Sequence, residues 1–562
     1  MIILGISPPV HESAAGIVKD GRLIAAATEE RFTRVKNQGG FPHNALESVL
    51  KLGGVGVGDI DVVALPFYDF AKEQRLKLEA YVKNVPYVLR SDIPLKSKVV
   101  HILNYSKNVF IDPAWVTGRP RDLLFGPLAD LGLDKKVAYV DHHAAHIASA
   151  YYTSGWDRAL GVSLDGYGSG QAGSFYLCEG GDIKLLQSIP YPHSLGTFYR
   201  RVTQALGFKP NRHEGKIVGL AAFGDPDVLY GRVLGRFDLS GDDYYRFKSA
   251  QNPYEDRVLA NAYAREDVAA AYQKVLEDVA TRYIAKYLHT HKLTKIVAAG
   301  GVFANVKMNQ RIMELDGVED MFIFPAMSDG GVGIGAALYL ASQTRGLEPC
   351  RLPDMYLGPG HTDAEIETTI RAAGLPFTHH ANVEDEIAMF LARGKVVARF
   401  DGRMEFGPRA LGNRSILFEA TDPSINKWLN DRLKRTEFMP FAPITLEEHA
   451  SGLYHNLHRA KLAAEFMTIT FDCTDEMKRT SPAAVHVDGT ARPQLVNART
   501  NPSCYKILRK YHELKGLPSV INTSFNMHEE PIVCSPQDAV RGFLDGRLDV
   551  LAAGPFIVES RA

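Results

Sequence analysis

Cysteine is scarce, with five residues in 562 (Cys178, Cys350, Cys473, Cys504 and Cys534), scattered and without a Cys-x-x-Cys pair. That spacing excludes a zinc ribbon and a disulfide framework. Net charge is also missing, because 64 Lys and Arg balance 65 Asp and Glu to leave -1. No overall field draws such a chain to polyanions, so no nucleic-acid partner is expected. No apolar run approaches a membrane span, and the start Met1–Ser7 is too short and lacks the basic flank of a signal peptide. No membrane partner is expected either, and the expected compartment is the cytoplasm.

What remains is an ordinary globular composition, 45% hydrophobic and 23% charged, on a chain long enough for two or three domains. The passage through Pro349, Pro353 and Pro359 is the best boundary. It separates an expected first domain, 1–350, from an expected second α/β domain, 356–562, in which Lys395–Phe400, Ser415–Phe418, Phe466–Phe471 and Ser519–Asn522 read as strands. In the first domain, Ser13–Glu30 reads as a hairpin turning at Asp20-Gly21, and Gly173–Ile189 repeats it with a turn at Gly180-Gly181. Each follows a strand of its own, Ile2–Ser7 and Ala159–Leu164, so a duplicated α/β domain is expected. Residues 69–126 carry many charged and aromatic side chains without strict periodicity and read as an inserted helical segment, a candidate substrate lid.

The chemistry-bearing residues begin with His142-His143-Ala144-Ala145-His146. If this stretch is helical, His142 and His146 lie four apart on one face and can clamp a metal ion. Asp165, which follows an apolar strand and opens a glycine-rich turn, and Asp329, in Ser-Asp-Gly-Gly, supply candidate carboxylate ligands. Two imidazoles with carboxylates suit iron(II), manganese or zinc. The glycine turns at Gly166 and Gly168, at Gly300-Gly301 with Asn305, and at Gly330 are candidates for presenting backbone N–H groups to a nucleotide's phosphates. In the second domain, Arg409, Arg414, Lys434, Arg435 and Arg492 stand among small polar residues, with Asn522 and Ser524 alternating off an apolar strand. That grouping suits a phosphorylated small molecule.

With these blocks in order, together with His11-Glu12-Ser13-Ala14-Ala15, Glu29–Arg34, His213–Ala221, Gly407–Ser415 and Met439–Pro443, the chain resembles the O-carbamoyltransferases of antibiotic and nodulation-factor biosynthesis. The resemblance implies an actin-like first domain, similar to the threonylcarbamoyl-transfer proteins, and a second domain similar to the YrdC-like proteins that make carbamoyl-type adenylates. It implies carbamoyl phosphate bound by Arg409, Lys434, Arg492, Asn522 and Ser524, ATP with Mg²⁺, and a divalent metal, iron(II) foremost, on His142, His146, Asp165 and Asp329. Nucleotide contacts are expected from Gly166, Gly168, Gly300, Gly301, Asn305, Gly330 and Arg414. His11 is expected to be the base for a hydroxylated small-molecule acceptor, and Lys36 to contact the adenylate or that acceptor. A homodimer is compatible with all of this. One position departs from the family pattern: Met439 stands where an arginine commonly precedes Pro-Phe-Ala-Pro, leaving Arg414 or Arg435 to supply the charge.

Overall fold

The computed structural model describes residues 1–91, 93–106, 119–434 and 438–560. Residues 107–118 of the expected inserted segment, and Arg435, lie outside the described residues. Two compact units are present: Met1–Ile24, Gly39–His43 and Val55–Arg351 form the first, and Ala25–Gln38, Asn44–Gly54 and Leu352–Ala562 the second.

The first unit is α/β and duplicated strand for strand. Strands β1 (Ile2–Ile6), β2 (Ala14–Lys19), β3 (Arg22–Thr28), β4 (Val62–Leu65) and β5 (Val137–Tyr139) assemble in the order β3-β2-β1-β4-β5. β1 runs antiparallel to β2 and parallel to β4, and β4 runs parallel to β5. The second set is β6 (Arg158–Gly168), β7 (Gln171–Glu179) and β8 (Asp182–Pro190), then, after the short ribbon β9 (Phe237–Asp238) with β10 (Arg246–Phe247), β11 (Lys295–Ala299) and β12 (Asp320–Ile323). These give β8-β7-β6-β11-β12, with β6 antiparallel to β7 and parallel to β11, and β11 parallel to β12. Asp20-Gly21 and Gly180-Gly181 make the hairpin turns, all four residues at φ of 50–84°. Helices Phe70–Arg90, Leu95–Ser106 and Arg119–Asp130 occupy the described part of the inserted segment.

The helix His142–Ser154 and the helix Asp329–Arg345 carry much of the site. The first is buried along its entire length. The second packs against it, against β1 and against β2, and Gly335 allows the approach: a Cβ there would lie 1.8 Å from the Ala145 carbonyl oxygen. Gly331, Gly333 and Gly335 therefore serve close packing within a continuous helix, at whose start the sequence reading expects a phosphate-facing turn. Asp165 also departs from that reading. β6 continues through it to Gly168, with an irregularity in its pairing to β7 between Leu164 and Gly168, so the residue sits inside the strand.

The second unit centres on an eight-stranded sheet of β13 (Thr378–His379), β14 (Val397–Phe400), β15 (Arg414–Phe418), β16 (Ala442–Leu446), β19 (Gln494–Val496), β20 (Ser519–Ser524), β21 (Val550–Ala553) and β22 (Phe556–Glu559), ordered β13-β22-β21-β14-β15-β20-β16-β19. Its core gathers Val397, Leu417, Ile444, Val520 and Val550 under Ile507, Leu508 and Tyr511. The expected strand Phe466–Phe471 is a correction. Met467 turns left-handed at φ 57°, which interrupts extended backbone, and only β17 (Phe471–Asp472) pairs, with β18 (Thr490–Ala491).

The amino-terminal segment Ala25–Gln38 is tied into this unit by two arginines. Arg31 Nη2 donates to the Gly407 carbonyl at 2.7 Å. Arg34 donates to the carbonyls of Ile532 (2.7 Å) and Pro531 (2.6 Å) and pairs with Asp538 at 3.3 Å.

Candidate active site

Asp141 caps the histidine helix, accepting from the Ala144 N–H at 2.8 Å and from the Tyr68 hydroxyl at 2.9 Å. One turn in, His142 and His146 point the same way, their Nε2 atoms 3.1 Å apart. Asp165 Oδ2 lies 3.2 Å from His142 Nε2 and 3.7 Å from His146 Nε2. Asp329, the first residue of its helix, places Oδ1 3.6 Å from both. One ligand atom from each of the four residues falls within 4.8 Å of the others.

The four expected ligands thus come together, and their surroundings fit a cation. At 3.1 Å the two Nε2 atoms can share one proton or turn both lone pairs toward a single cation. Burial opposes the imidazolium of His142, yet the Asp165 hydrogen bond and the charges of Asp329 and Asp165 raise it to about 9. Burial likewise opposes the Asp165 carboxylate, and the two histidines hold its pKa well below the usual range. His142 Nδ1 faces the Pro66 carbonyl at 3.3 Å, the second contact by which proteins aim a ligating imidazole. The donor set is that of a first-row divalent ion such as iron(II), zinc or manganese. Gly168 is required by the same packing, since a Cβ there would lie 2.1 Å from the His142 ring.

His11 follows β1, and its half-exposed ring puts Nε2 3.6 Å from Asp329 Oδ2. Sequence reasoning missed its neighbour. Glu12 turns left-handed at φ 53° and its Oε2 accepts from Ser328 Oγ at 2.6 Å and the Gly330 N–H at 3.3 Å, tying the His11 turn to the start of the aspartate helix. Its adjacency to His11 was the available signal.

The expected nucleotide contacts fare differently. The Gly330 N–H is directed at Glu12, the Gly301 N–H at Asp165 Oδ1 (3.2 Å) and the Gly300 N–H at the Met327 carbonyl (2.7 Å). Asn305 caps a helix through the Met308 N–H (3.0 Å) and bonds Gln273, and Gly166 accepts from Ser194 Oγ at 2.9 Å. The N–H groups of Gly300, Gly301 and Gly330 thus have partners within the protein.

In the second unit, Arg414 is a correction. It is completely buried, stacked 3.8 Å over the Phe400 ring, with its guanidinium donating to the carbonyls of Asp401 (2.7 Å), Asn413 (3.0 Å) and Gly402 (3.1 Å). It holds backbone and presents no surface to a nucleotide. Arg409 and Arg492 are half-buried, Lys434 is exposed, and Ser524 sits two residues beyond Asn522 on β20. Asn522 donates to the Ala410 carbonyl (3.1 Å) and to Gln494 (2.7 Å), which brings the Arg409 loop against this strand. Lys36 lies half-buried in the segment Ala25–Gln38.

The chain thus joins a duplicated α/β unit with a His₂Asp₂ cluster to a second α/β unit that carries half-buried Arg409 and buried Arg414 close together. The chain belongs to the carbamoyltransferase family: the family's N-terminal model matches residues 2–338 and its C-terminal model residues 388–560. It is similar to an uncharacterized protein of Synechocystis sp. (33% identical, 100% of this chain, 97% of that protein) and to one of Methanocaldococcus jannaschii (32%, 100% and 99%). It is also similar to nodulation protein NolNO of Sinorhizobium fredii, 30% identical over 98% of this chain and 79% of that protein. No helix among the described residues is long and apolar enough to cross a membrane.

Proposed function

We propose that this carbamoyltransferase is ATP-dependent and acts on an alcohol, in two steps divided between an actin-like first domain within 1–350 and a YrdC-like second domain, 356–562, with which the segments Ala25–Gln38 and Asn44–Gly54 are grouped. The observation that carries the reading is the four-donor cluster with His11 beside Asp329.

In the second domain, Arg409, Lys434 and Arg492 offset the charge of carbamoyl phosphate, with Asn522 and Ser524 completing the shell. Once the donor's phosphate has passed to water, the carbamate left behind attacks the α-phosphate of ATP, which binds with Mg²⁺. Pyrophosphate leaves and carbamoyl adenylate forms. In the first domain His142, His146, Asp165 and Asp329 would hold a divalent ion, iron(II) foremost, which supplies Lewis acidity toward an anionic phosphate. His11, whose Nε2 lies 3.6 Å from Asp329 Oδ2, takes the proton of the attacking hydroxyl of a natural product or sugar. Lys36 contacts the adenylate or acceptor. AMP and a carbamate ester are the products.

Product analysis tests this. Incubation with ATP, carbamoyl phosphate and a panel of hydroxylated compounds should yield AMP, pyrophosphate and a carbamoyl mass addition. ADP with a phosphorylated alcohol would show a kinase instead.

A further inference from the structure

The second unit holds a carboxylate that the proposed chemistry does not use. Glu405 is 3% exposed, and its Oε1 accepts three backbone N–H groups, from Leu411 (2.8 Å), Asn413 (2.8 Å) and Arg414 (3.1 Å). Three amides converging on one oxygen mean that the chain from 411 to 414, the base of the loop that carries Arg409, is wound around this side chain. Charge-assisted bonds of this kind are about twice as strong as neutral ones.

The loop is also gripped from outside. Arg399 Nη1 donates to the Gly412 carbonyl (2.6 Å) and Asn413 Oδ1 (3.0 Å), Gln494 and Tyr356 both donate to the Leu411 carbonyl (2.7 Å each), and Arg31 holds Gly407. These anchors fall on Gly407 and on residues 410–414. Between them, Pro408 is exposed and Arg409 half-buried, whereas Ala410 and Leu411 are 4% and 3% exposed. The loop has a rigid base and an apex at Arg409.

We propose that Glu405 is a positioning residue for the phosphorylated donor: it templates the loop from within so that Arg409 is presented at one place. The inference rests on the reading that Arg409 contacts carbamoyl phosphate. Glu405 is itself too buried, and of the wrong charge, to be a phosphate ligand. Gln in its place keeps the shape and one acceptor but loses the charge assistance, and Leu removes the template.

Initial rates of pyrophosphate release, with carbamoyl phosphate varied at saturating ATP and the reverse, test this in the full-length wild type, Glu405→Gln, Glu405→Leu and Arg409→Ala. The expected result is a KM for carbamoyl phosphate raised about 10-fold or more in Glu405→Leu and about 3-fold in Glu405→Gln, with the KM for ATP within about twofold. An unchanged carbamoyl phosphate KM in Glu405→Leu overturns the inference, as does an equal rise in both KM values. If Glu405→Leu does not fold, an unchanged KM in Glu405→Gln overturns it. Arg409→Ala separates the two layers: an unchanged KM there removes the donor-site reading itself, whereas a raised KM there with unchanged Glu405 variants removes only the role of Glu405.

Discussion

Asp329 turns one oxygen toward His11 and the other toward the helix histidines: Oδ2 is 3.6 Å from His11 Nε2, while Oδ1 is 3.6 Å from Nε2 of both His142 and His146. One carboxylate thereby joins the proposed base to the candidate cation site. Asp329→Ala should remove both functions, whereas Asp165→Ala leaves the His11 partner in place. Both variants should lose bound metal by more than about 10-fold, measured by elemental analysis of purified protein. Retention of metal by either contradicts the ligand assignment.

The close approach of the two site helices gives a test that touches no ligand. Gly335→Ala forces a Cβ to 1.8 Å from the Ala145 carbonyl, so the aspartate helix must move away from the histidines. Overpacking of this kind costs about 1–3 kcal/mol. A lowered Tm together with reduced metal content is expected, and wild-type metal content would show that the helix spacing does not set the site.

Arg34 donates to two carbonyls and pairs with Asp538, all within the second unit. Its removal leaves two carbonyl acceptors unmet and takes one cation from Asp538, which keeps Arg541 and the Cys534 and Ser535 N–H groups, a loss on the order of 1–2 kcal/mol. Arg34→Ala should therefore lower the denaturant midpoint of the second unit, read by a local probe such as Trp428. An unchanged midpoint would mean that the amino-terminal segment contributes no stability there.

His193 supplies a pH dependence. Burial, with Arg246 nearby, lowers its pKa to about 4, and its Nδ1 accepts the Phe247 N–H at 3.0 Å. The folded state thus favours the neutral ring while the unfolded chain protonates near 6.5. The unfolded state binds more protons between these values, so this contribution to stability is complete above about pH 6.5 and is lost as pH falls toward 4. His193→Gln keeps an acceptor that does not titrate, and its Tm should fall less steeply across that window. Identical slopes would contradict the assignment.

The sequence disclosed the duplicated unit because its signals are local: Asp20-Gly21 and Gly180-Gly181 make hairpins whatever surrounds them. The histidine pair was legible for the same reason, since one helical turn brings both rings to one face. Gly300, Gly301 and Gly330 carry a two-way signal, because glycine marks close backbone approach as well as phosphate turns; here their N–H groups are bound to protein oxygens. Met467 ended an apolar run by a left-handed turn that composition does not encode. The roles of Arg31 and Arg34 depend on partners 376 and 497 residues away, beyond the reach of any motif.

The division of labour between the two domains is tested most directly by His11→Asn beside Arg492→Ala, each assayed for pyrophosphate release and for carbamate formed on an acceptor. His11→Asn should still release pyrophosphate when given ATP and carbamoyl phosphate yet form no carbamate, while Arg492→Ala should do neither. A His11→Asn enzyme that carbamoylates at the wild-type rate, or an Arg492→Ala enzyme that does so, would contradict the account.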